Sequence, residues 1–260
     1  MLYRFEEELR GAAIQAIDDS IGRVSDFHFD DRHWVVRYLV VDTGDWLPGR
    51  LVVISPASVD RFDRSDRVVH VSLSREQIED SPSISVSDPL LAEQEAALAG
   101  YYGWPLYWGG FSPLVTTGLP DYPAVPVTGD DDQPVVTDNV PAMDEGSEPV
   151  QRDPHLRSFN EVQGYAVNAN DGKVGSIHDL LFDDQTGRVM YMVVDTGNLF
   201  TGRKVLLAPS WVQAISWMDE EVDVDLKVET VKASPEYDPA VPIREEDEDR
   251  LYRHYGKDRK

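Results

Sequence analysis

The chain has 260 residues, no cysteine, 41% hydrophobic residues and a net charge of −24. This length predicts one large domain or two small ones with packed cores, and the lack of cysteine excludes disulfides, thiolate nucleophiles and Cys-ligated zinc. The acidity disfavours direct binding to nucleic acid or to an anionic membrane surface. Acidic residues begin at Glu6, and no apolar segment precedes them, so we expect no signal peptide. We therefore also expect a cytoplasmic protein.

Short strands separated by turn residues dominate residues 1–105. The apolar segments "GAAIQAI", "GRVSDFHFD", "WVVRYLVVD", "LVVIS" and "RVVHVSL" follow one another, with Gly, Asp and Pro between them. Val36, Tyr38 and Val40 alternate along the third segment, as on the core-facing side of a strand. This pattern predicts a small, mainly β barrel.

Helices are predicted only near the end of this region. Ser74 and Gln77 have the spacing of a capping box for one helical turn. A second helix is predicted at about 90–102, and its counterpart at 243–255.

A proline- and acid-rich segment follows. Residues 105–154 contain nine of the 17 prolines, and residues 130–148 carry seven acids and no base. Proline removes backbone donors and clustered like charge resists collapse. We therefore predict a partly disordered linker at 106–152 between units at 1–105 (the first repeat) and 153–260 (the second repeat).

The two units are copies of one sequence. A shift of 153 residues places Gly11 on Gly164, and about a third of the next ninety or so positions are identical. "VRYLVVDTGDWLPGRLVVISP" (36–56) lies over "VMYMVVDTGNLFTGRKVLLAP" (189–209). Such self-similarity predicts one fold written twice.

The repeated Asp-Thr-Gly raises the possibility of an aspartic protease, in which two carboxylates share a proton. Asp42 and Asp195 would be that pair. However, Asp45 and Asn198 stand where these enzymes usually have a small hydroxyl residue, and the hydrophobic-hydrophobic-Gly segment of such lobes is not found at matching places.

A structural role explains the same residues. An aspartate that ends a strand accepts backbone N–H bonds in the turn, and glycine supplies a positive φ. We therefore predict Asp42 and Asp195 in turns with Gly44 and Gly197. Ion pairs are expected from Arg50 and Arg203 to these aspartates or to Asp26 and Asp179.

These residues resemble the PRC-barrel, the domain that forms the cytoplasmic part of the photosynthetic reaction centre H subunit and the C-terminal domain of the ribosome maturation factor. The resemblance covers most of both repeats and no part of the linker. The matching positions in the first repeat are Gly22, Val24, Asp26, Phe29, Asp30, Tyr38, Val40, Asp42, Gly49, Arg50 and Pro56. Those in the second are Gly175, Ile177, Asp179, Phe182, Asp183, Tyr191, Val193, Asp195, Gly202, Arg203 and Pro209.

The resemblance implies two small, strongly bent β-barrels, each with short C-terminal helical segments, that serve as docking modules without catalysis. A stress-response role is commonly assigned to bacterial members of the family, although many members have no assigned biochemical role. The transmembrane helix of the H subunit and the RNA-processing domain of the maturation factor have no counterpart here. Two arrangements stay open: barrels paired within one chain, or a homodimer.

Aromatic residues concentrate in "YYGWPLYWGGF" at the end of the first repeat, whereas the second ends "YRHYGKDRK". Aromatic side chains anchor many interfaces, so these residues could dock a partner or mediate self-association. They could instead cover the first barrel or contact a membrane interface. The candidate partner-binding residues are Tyr101, Tyr102, Trp104, Tyr107, Trp108 and Phe111.

No metal or cofactor is expected, because the six histidines show no ligand spacing and "GDDDQ" lacks the spacing of a calcium loop. The main hypothesis is a non-enzymatic cytoplasmic adaptor that binds a protein. The alternatives are a peripheral subunit of a photosynthetic or respiratory membrane complex and an Asp-Thr-Gly protease.

Overall fold

The computed structural model describes residues 2–47, 51–82, 84, 90–104, 155–197 and 203–259. Strands account for most of their regular structure. Those of the first repeat are β1 (Leu2–Arg4), β2 (Ala13–Gln15), β3 (Ser20–Asp30), β4 (Val35–Asp42), β5 (Leu51–Ile54), β6 (Val59–Asp63) and β7 (Val68–Val71). Those of the second are β8 (Leu156–Ser158), β9 (Ala166–Ala169), β10 (Gly172–Asp183), β11 (Val189–Asp195), β12 (Lys204–Leu207), β13 (Val212–Ser216) and β14 (Glu221–Val224).

Both sheets have the same topology. The first runs β5-β4-β3-β2-β7-β6 and the second β12-β11-β10-β9-β14-β13. The pairs β2–β7 and β9–β14 are parallel, and the pairings of the central strands β3 with β4 and β10 with β11 each contain two bulges. Bulges bend a strand and increase its twist, so the prediction of two strongly bent, mainly β units is confirmed.

The helices are short and lie mostly where the sequence predicts them. They are α1 (Arg75–Glu79), α2 (Ala92–Tyr102), α3 (Phe159–Val162), α4 (Val228–Lys232) and α5 (Glu245–Tyr255). Ser74 and Gln77 form the predicted capping box before α1. Helices α2 and α5 confirm the pair predicted at 90–102 and 243–255.

Each repeat places its first strand in the sheet of the other repeat. Strand β1 pairs antiparallel with β10, with Tyr3 opposite Phe182. Strand β8 pairs antiparallel with β3, with Arg157 opposite Phe29. Sheet membership therefore differs from the predicted units 1–105 and 153–260 by one exchanged strand in each direction.

Phenylalanines fill the space where the two repeats meet. Phe5 and Phe159 follow the exchanged strands and pack on Phe27, with ring centroids 4.5 and 5.3 Å from it. All three side chains are fully buried, and one hydrophobic core extends through both repeats. Burial of a phenylalanine contributes about 2–3 kcal/mol, so this contact joins the repeats into one body.

A one-residue difference between the repeats is absorbed next to this core. The first repeat has one more residue between Phe5 and Gly11 than the second has between Phe159 and Gly164. Phe5–Leu9 forms a five-residue π turn, whereas the equivalent segment is the four-residue helix α3. The wider turn keeps both the exchanged strand and the following strand in register.

Candidate functional site

The two Asp-Thr-Gly sequences close equivalent turns. Asp42 Oδ1 accepts a hydrogen bond from the Gly44 N–H at 2.9 Å, and Asp195 Oδ1 accepts one from the Gly197 N–H at 2.8 Å. Gly44 has a φ of 60°, a left-handed conformation that glycine adopts without strain. Each carboxylate therefore holds its own turn.

A glycine on the neighbouring strand makes room for each turn. A Cβ on Gly22 would lie 2.2 Å from the backbone oxygen of Asp42, and one on Gly175 would lie 2.0 Å from that of Asp195. No side chain fits at such distances. The glycine and the aspartate of the repeated motif thus form one packing unit.

The turns lie in different sheets. Asp42 ends β4, opposite Arg23, and Asp195 ends β11, opposite Ser176. Among the described residues no hydrogen bond joins Asp42 to Asp195, although a protease pair must share a proton. The geometry of each aspartate is that of a turn residue.

Two other repeated aspartates hold the exchanged segments. Asp26 accepts hydrogen bonds from the Asn160 N–H at 3.1 Å and the Ser158 hydroxyl at 2.5 Å. Asp179 accepts one from the Glu6 N–H at 2.9 Å. Burial raises the pKa of Asp179 to about 6 and raises the pKa of Asp26 in the same direction. Each carboxylate thus accepts hydrogen bonds from the segment that the other repeat contributes to its sheet.

Arg203 has a different partner from the one expected. Its guanidinium donates to the backbone oxygen of Lys232 at 2.7 Å and to that of Ser234, beyond the end of α4. It therefore satisfies carbonyls that a helix end leaves without partners, instead of pairing with Asp195 or Asp179. Gly49, Arg50 and Gly202 lie outside the described residues.

The described part of the aromatic segment faces two ways. Trp104 is 9% exposed and its Nε1–H donates to the Ser58 hydroxyl at 2.6 Å. Tyr102 stacks on Trp104 with ring centroids 4.3 Å apart. Tyr101 is 42% exposed. Trp104 therefore covers the first barrel, while Tyr101 is accessible.

The remaining candidates Tyr107, Trp108 and Phe111 lie outside the described residues.

The second repeat supplies an indole at the same place from another chain position. The counterpart of Ser58 is Trp211, which is 4% exposed. Its ring lies 4.6 Å from that of Tyr255, the counterpart of Tyr102. The end of the second repeat lacks the aromatic segment of the first, and Trp211 of the second barrel takes over part of its packing role.

A buried polar cluster distinguishes the first repeat. Arg37 and Glu95 form an ion pair in which the side chains are 1% and 0% exposed. Burial and the charge of Arg37 lower the pKa of His28 to about 4, and the His28 Nδ1 has no hydrogen-bond partner among the described residues. The cluster anchors α2 to strand β4.

The equivalent place in the second repeat is more apolar. Met190 and Leu181 replace the arginine and the histidine. Glu248, on α5, accepts a hydrogen bond from the Tyr191 hydroxyl at 2.8 Å and pairs with Arg259 at 2.6 Å.

A cleft of about 600 Å³ opens between the repeats. The turn between β3 and β4 forms one wall, and residues of β11, of the turn before β13 and of β13 form the other. The lining residues of this interrepeat cleft are Asp31, Arg32, His33, Trp34, His155, Arg188, Val189, Met190, Ala208, Pro209, Ser210, Val212, Gln213, Ala214, Ile215, Trp217 and Tyr252.

Backbone hydrogen bonds between the repeats hold the cleft walls. The Asp31 N–H donates to the His155 oxygen at 2.9 Å, and the Val189 N–H donates to the Trp34 oxygen at 2.7 Å. Both walls therefore belong to one framework, and the cleft exists only because the repeats are joined.

The charge of the cleft is opposite to that of the chain. Among the described lining residues the one carboxylate is Asp31, whose side chain is 9% exposed and is bound by His155 at 2.8 Å and Arg157 at 3.1 Å. Arg32 and Arg188 are exposed, and neither guanidinium forms an ion pair with another described residue. Anions would therefore be attracted to this surface.

Trp34 has a backbone conformation that is unusual for a large side chain. Its φ is 55°, and the equivalent residue of the second repeat, Gly187, has a φ of 65°. A left-handed backbone costs a side-chain-bearing residue about 1–2 kcal/mol. Stacking of the indole on Phe29, with centroids 5.5 Å apart, offsets part of this cost. Sequence reasoning missed this position, although the repeat alignment places tryptophan opposite glycine.

The described residues contain no cluster of three or more metal-binding side chains. None of the helices in the described ranges is long and apolar enough to span a membrane.

Residues 4–78 and 155–228 match the PRC-barrel domain, which together is more than half of the chain. The protein belongs to the PRC-barrel domain family and carries the domain twice. This confirms the resemblance seen in the sequence, and the family is one of non-catalytic domains.

A protein of Deinococcus radiodurans described as uncharacterized is 37% identical over 49 residues. The matched segment is 19% of this chain and 18% of that protein, so the likeness covers about a fifth of each.

Proposed function

We propose that this protein is a non-catalytic cytoplasmic adaptor that binds a protein partner, with the interrepeat cleft as its main docking surface. The observation that carries the proposal is that residues of both repeats line one cleft, with Trp34 from the first and Trp217 and Tyr252 from the second. Tryptophan and tyrosine dominate the binding energy of many protein interfaces.

The framework around the cleft favours this function. The exchanged strands and the shared phenylalanine core hold both walls, so little ordering of the protein would accompany binding. Preorganised surfaces bind more tightly because they lose less conformational entropy. The aromatic segment that begins at Tyr101 is a second docking candidate.

To test the proposal, the full chain is fixed to affinity beads and exposed to a cell lysate, and the captured proteins are identified by quantitative mass spectrometry. Each captured protein is then purified, and its binding is measured by titration calorimetry. Three forms are compared: wild type, a cleft variant (Trp34→Gly with Trp217→Ala), and a segment variant (Tyr101, Tyr107, Trp108 and Phe111 to Ser). Tyr102 and Trp104 are kept, because Trp104 is in the barrel core and Tyr102 stacks on it.

We expect a purified partner that binds wild type and the segment variant but not the cleft variant. A partner lost only in the segment variant would move the docking surface to that segment. If no captured protein binds in purified form, the adaptor proposal fails. Peptide cleavage that disappears in Asp42→Asn without a change in melting temperature would also contradict it.

A further inference from the structure

We infer that the interrepeat cleft binds an extended acidic segment of the partner protein, with Arg32 and Arg188 pairing with its carboxylates and Trp34 and Trp217 packing against its apolar side chains. This inference rests on the proposed function and adds the chemistry of the partner to it.

Charge complementarity is the first step. The chain carries 48 acids against 24 lysines and arginines, yet the cleft exposes two arginines that form no ion pair with a described residue. The carboxylate of Asp31, which also lines the cleft, is already bound by His155 and Arg157. Arginine recognises carboxylates with two parallel hydrogen bonds. The cleft therefore favours an anionic partner, although the chain as a whole carries a net charge of −24.

The conformation of Trp34 is the second step. The second repeat has glycine at the equivalent left-handed position, which shows that the turn does not need a side chain there. A strained residue points to a function when the surrounding structure holds it in place. Trp34 stacks on Phe29 and also lines the cleft. The strained backbone thus presents an indole to the cleft.

The opposite wall completes the surface. The guanidinium of Arg157 lies 3.8 Å from the centre of the Trp217 ring, which fixes this indole by a cation–π contact. Apolar residues of the second repeat, among them Val189, Met190 and Pro209, also line the cleft. A lining that combines aromatic and apolar side chains with two exposed arginines matches a peptide that alternates acidic and apolar residues.

The test uses fluorescein-labelled 12-residue peptides and fluorescence anisotropy with the full chain. One peptide alternates Glu with Val and Pro, a second replaces each Glu by Gln, and a labelled oligouridylate is the nucleic-acid probe. Residues 130–148 of the chain carry seven acids themselves, and a tethered acidic segment is a competitor that the experiment has to control for. All proteins are therefore also measured with those acids changed to amides.

We expect the acidic peptide to bind at least about tenfold more tightly than its Gln counterpart, and the difference to shrink as salt screens the charges. Arg32→Ser with Arg188→Ser should weaken binding of the acidic peptide about tenfold or more, because two charge-assisted contacts are lost. Arg61→Ser is the matched control, since Arg61 is exposed and does not line the cleft. It should leave the affinity unchanged.

Trp34→Gly should lower the affinity for the acidic peptide about tenfold. Its melting temperature should stay the same or rise, because glycine adopts the left-handed backbone without strain. Equal affinity for the acidic and Gln peptides, or unchanged affinity in the double arginine variant, would overturn the inference. Tighter binding of the oligouridylate would overturn it as well. A purified partner that still binds the double arginine variant would reject the acidic segment and leave the adaptor function standing.

Discussion

The two repeats share a topology, two aspartate turns and an exchanged strand, but they differ in the interior of each barrel. The first repeat buries an ion pair and a histidine where the second has methionine and leucine. The second repeat fills with Trp211 the place that the first fills with Trp104. The features that both repeats keep are those the fold requires, whereas the residues inside each barrel can differ between the two copies.

The repeated glycine should be the most sensitive of the shared features. Gly22→Ala places a methyl group against the backbone oxygen of Asp42, so either β3 or the turn must move. We expect a loss of about 3 kcal/mol or more in the free energy of unfolding, or about 10 °C in melting temperature, measured by urea and thermal denaturation.

Gly100→Ala is the control for this glycine. Gly100 lies within α2, where an added Cβ would meet nothing within 4 Å. Alanine also has a higher helix propensity than glycine. Equal stability of Gly22→Ala and wild type would show that the turn adapts and that the motif glycine is not required by packing.

The buried ion pair is the largest difference that the comparison identifies. Arg37→Met introduces the residue of the second repeat and removes the arginine from the buried carboxylate of Glu95. We expect a loss of about 3–5 kcal/mol, measured by urea unfolding.

The double variant Arg37→Met with Glu95→Leu should recover most of this loss, because neither member of this buried ion pair is then left without the other. If the double variant is as unstable as Arg37→Met alone, the arginine matters for its packing and not for its charge.

The pH dependence of stability should separate His28 from Asp179. Burial lowers the pKa of His28 to about 4, so the unfolded chain binds the proton more tightly and stability falls as pH drops from about 6.5 to 4. Burial raises the pKa of Asp179 to about 6, so the folded chain binds the proton more tightly and stability rises as pH drops from about 6 to 4. The two effects oppose each other in wild type.

His28→Leu introduces the residue of the second repeat. Between pH 6.5 and 4.5 its free energy of unfolding should rise by about 2–3 kcal/mol relative to that of wild type. Over the same pH range, the free energy of unfolding of Asp179→Asn should fall by about 2 kcal/mol relative to that of wild type. Unfolding free energies at half-unit pH steps measure both. Parallel pH curves for wild type and both variants would show that neither group titrates in this window.

The smallest effect is expected from cutting the chain between the repeats. A protease site placed within residues 112–152, followed by cleavage, should leave both fragments in one peak in size-exclusion chromatography at micromolar concentration. The exchanged strands, the phenylalanine core and the buried aspartate contacts all persist after the cut.

Phe5→Ser with Phe159→Ser is the matched variant for this experiment. It should separate the fragments after cleavage, because it removes two rings from the shared core. Fragments that separate in the wild-type protein would mean that the linker, and not the exchange, holds the repeats together.

The sequence by itself determined the duplication, the mainly β class, the short helices and the family. These features depend on local pattern: alternation along Val36, Tyr38 and Val40, the capping box at Ser74, and a motif written twice. Local patterns survive in any packing of the chain, so they can be read without the structure.

The tertiary structure alone decided how the repeats combine. Strand exchange depends on which edge strand is available, and a three-residue strand such as β1 has too little pattern to name its partner. The roles of Asp26 and Asp179 follow from the exchange, so the expected ion pairs could not anticipate them. The interrepeat cleft, its exposed arginines and the strained Trp34 likewise come together only when residues far apart in the chain are packed side by side.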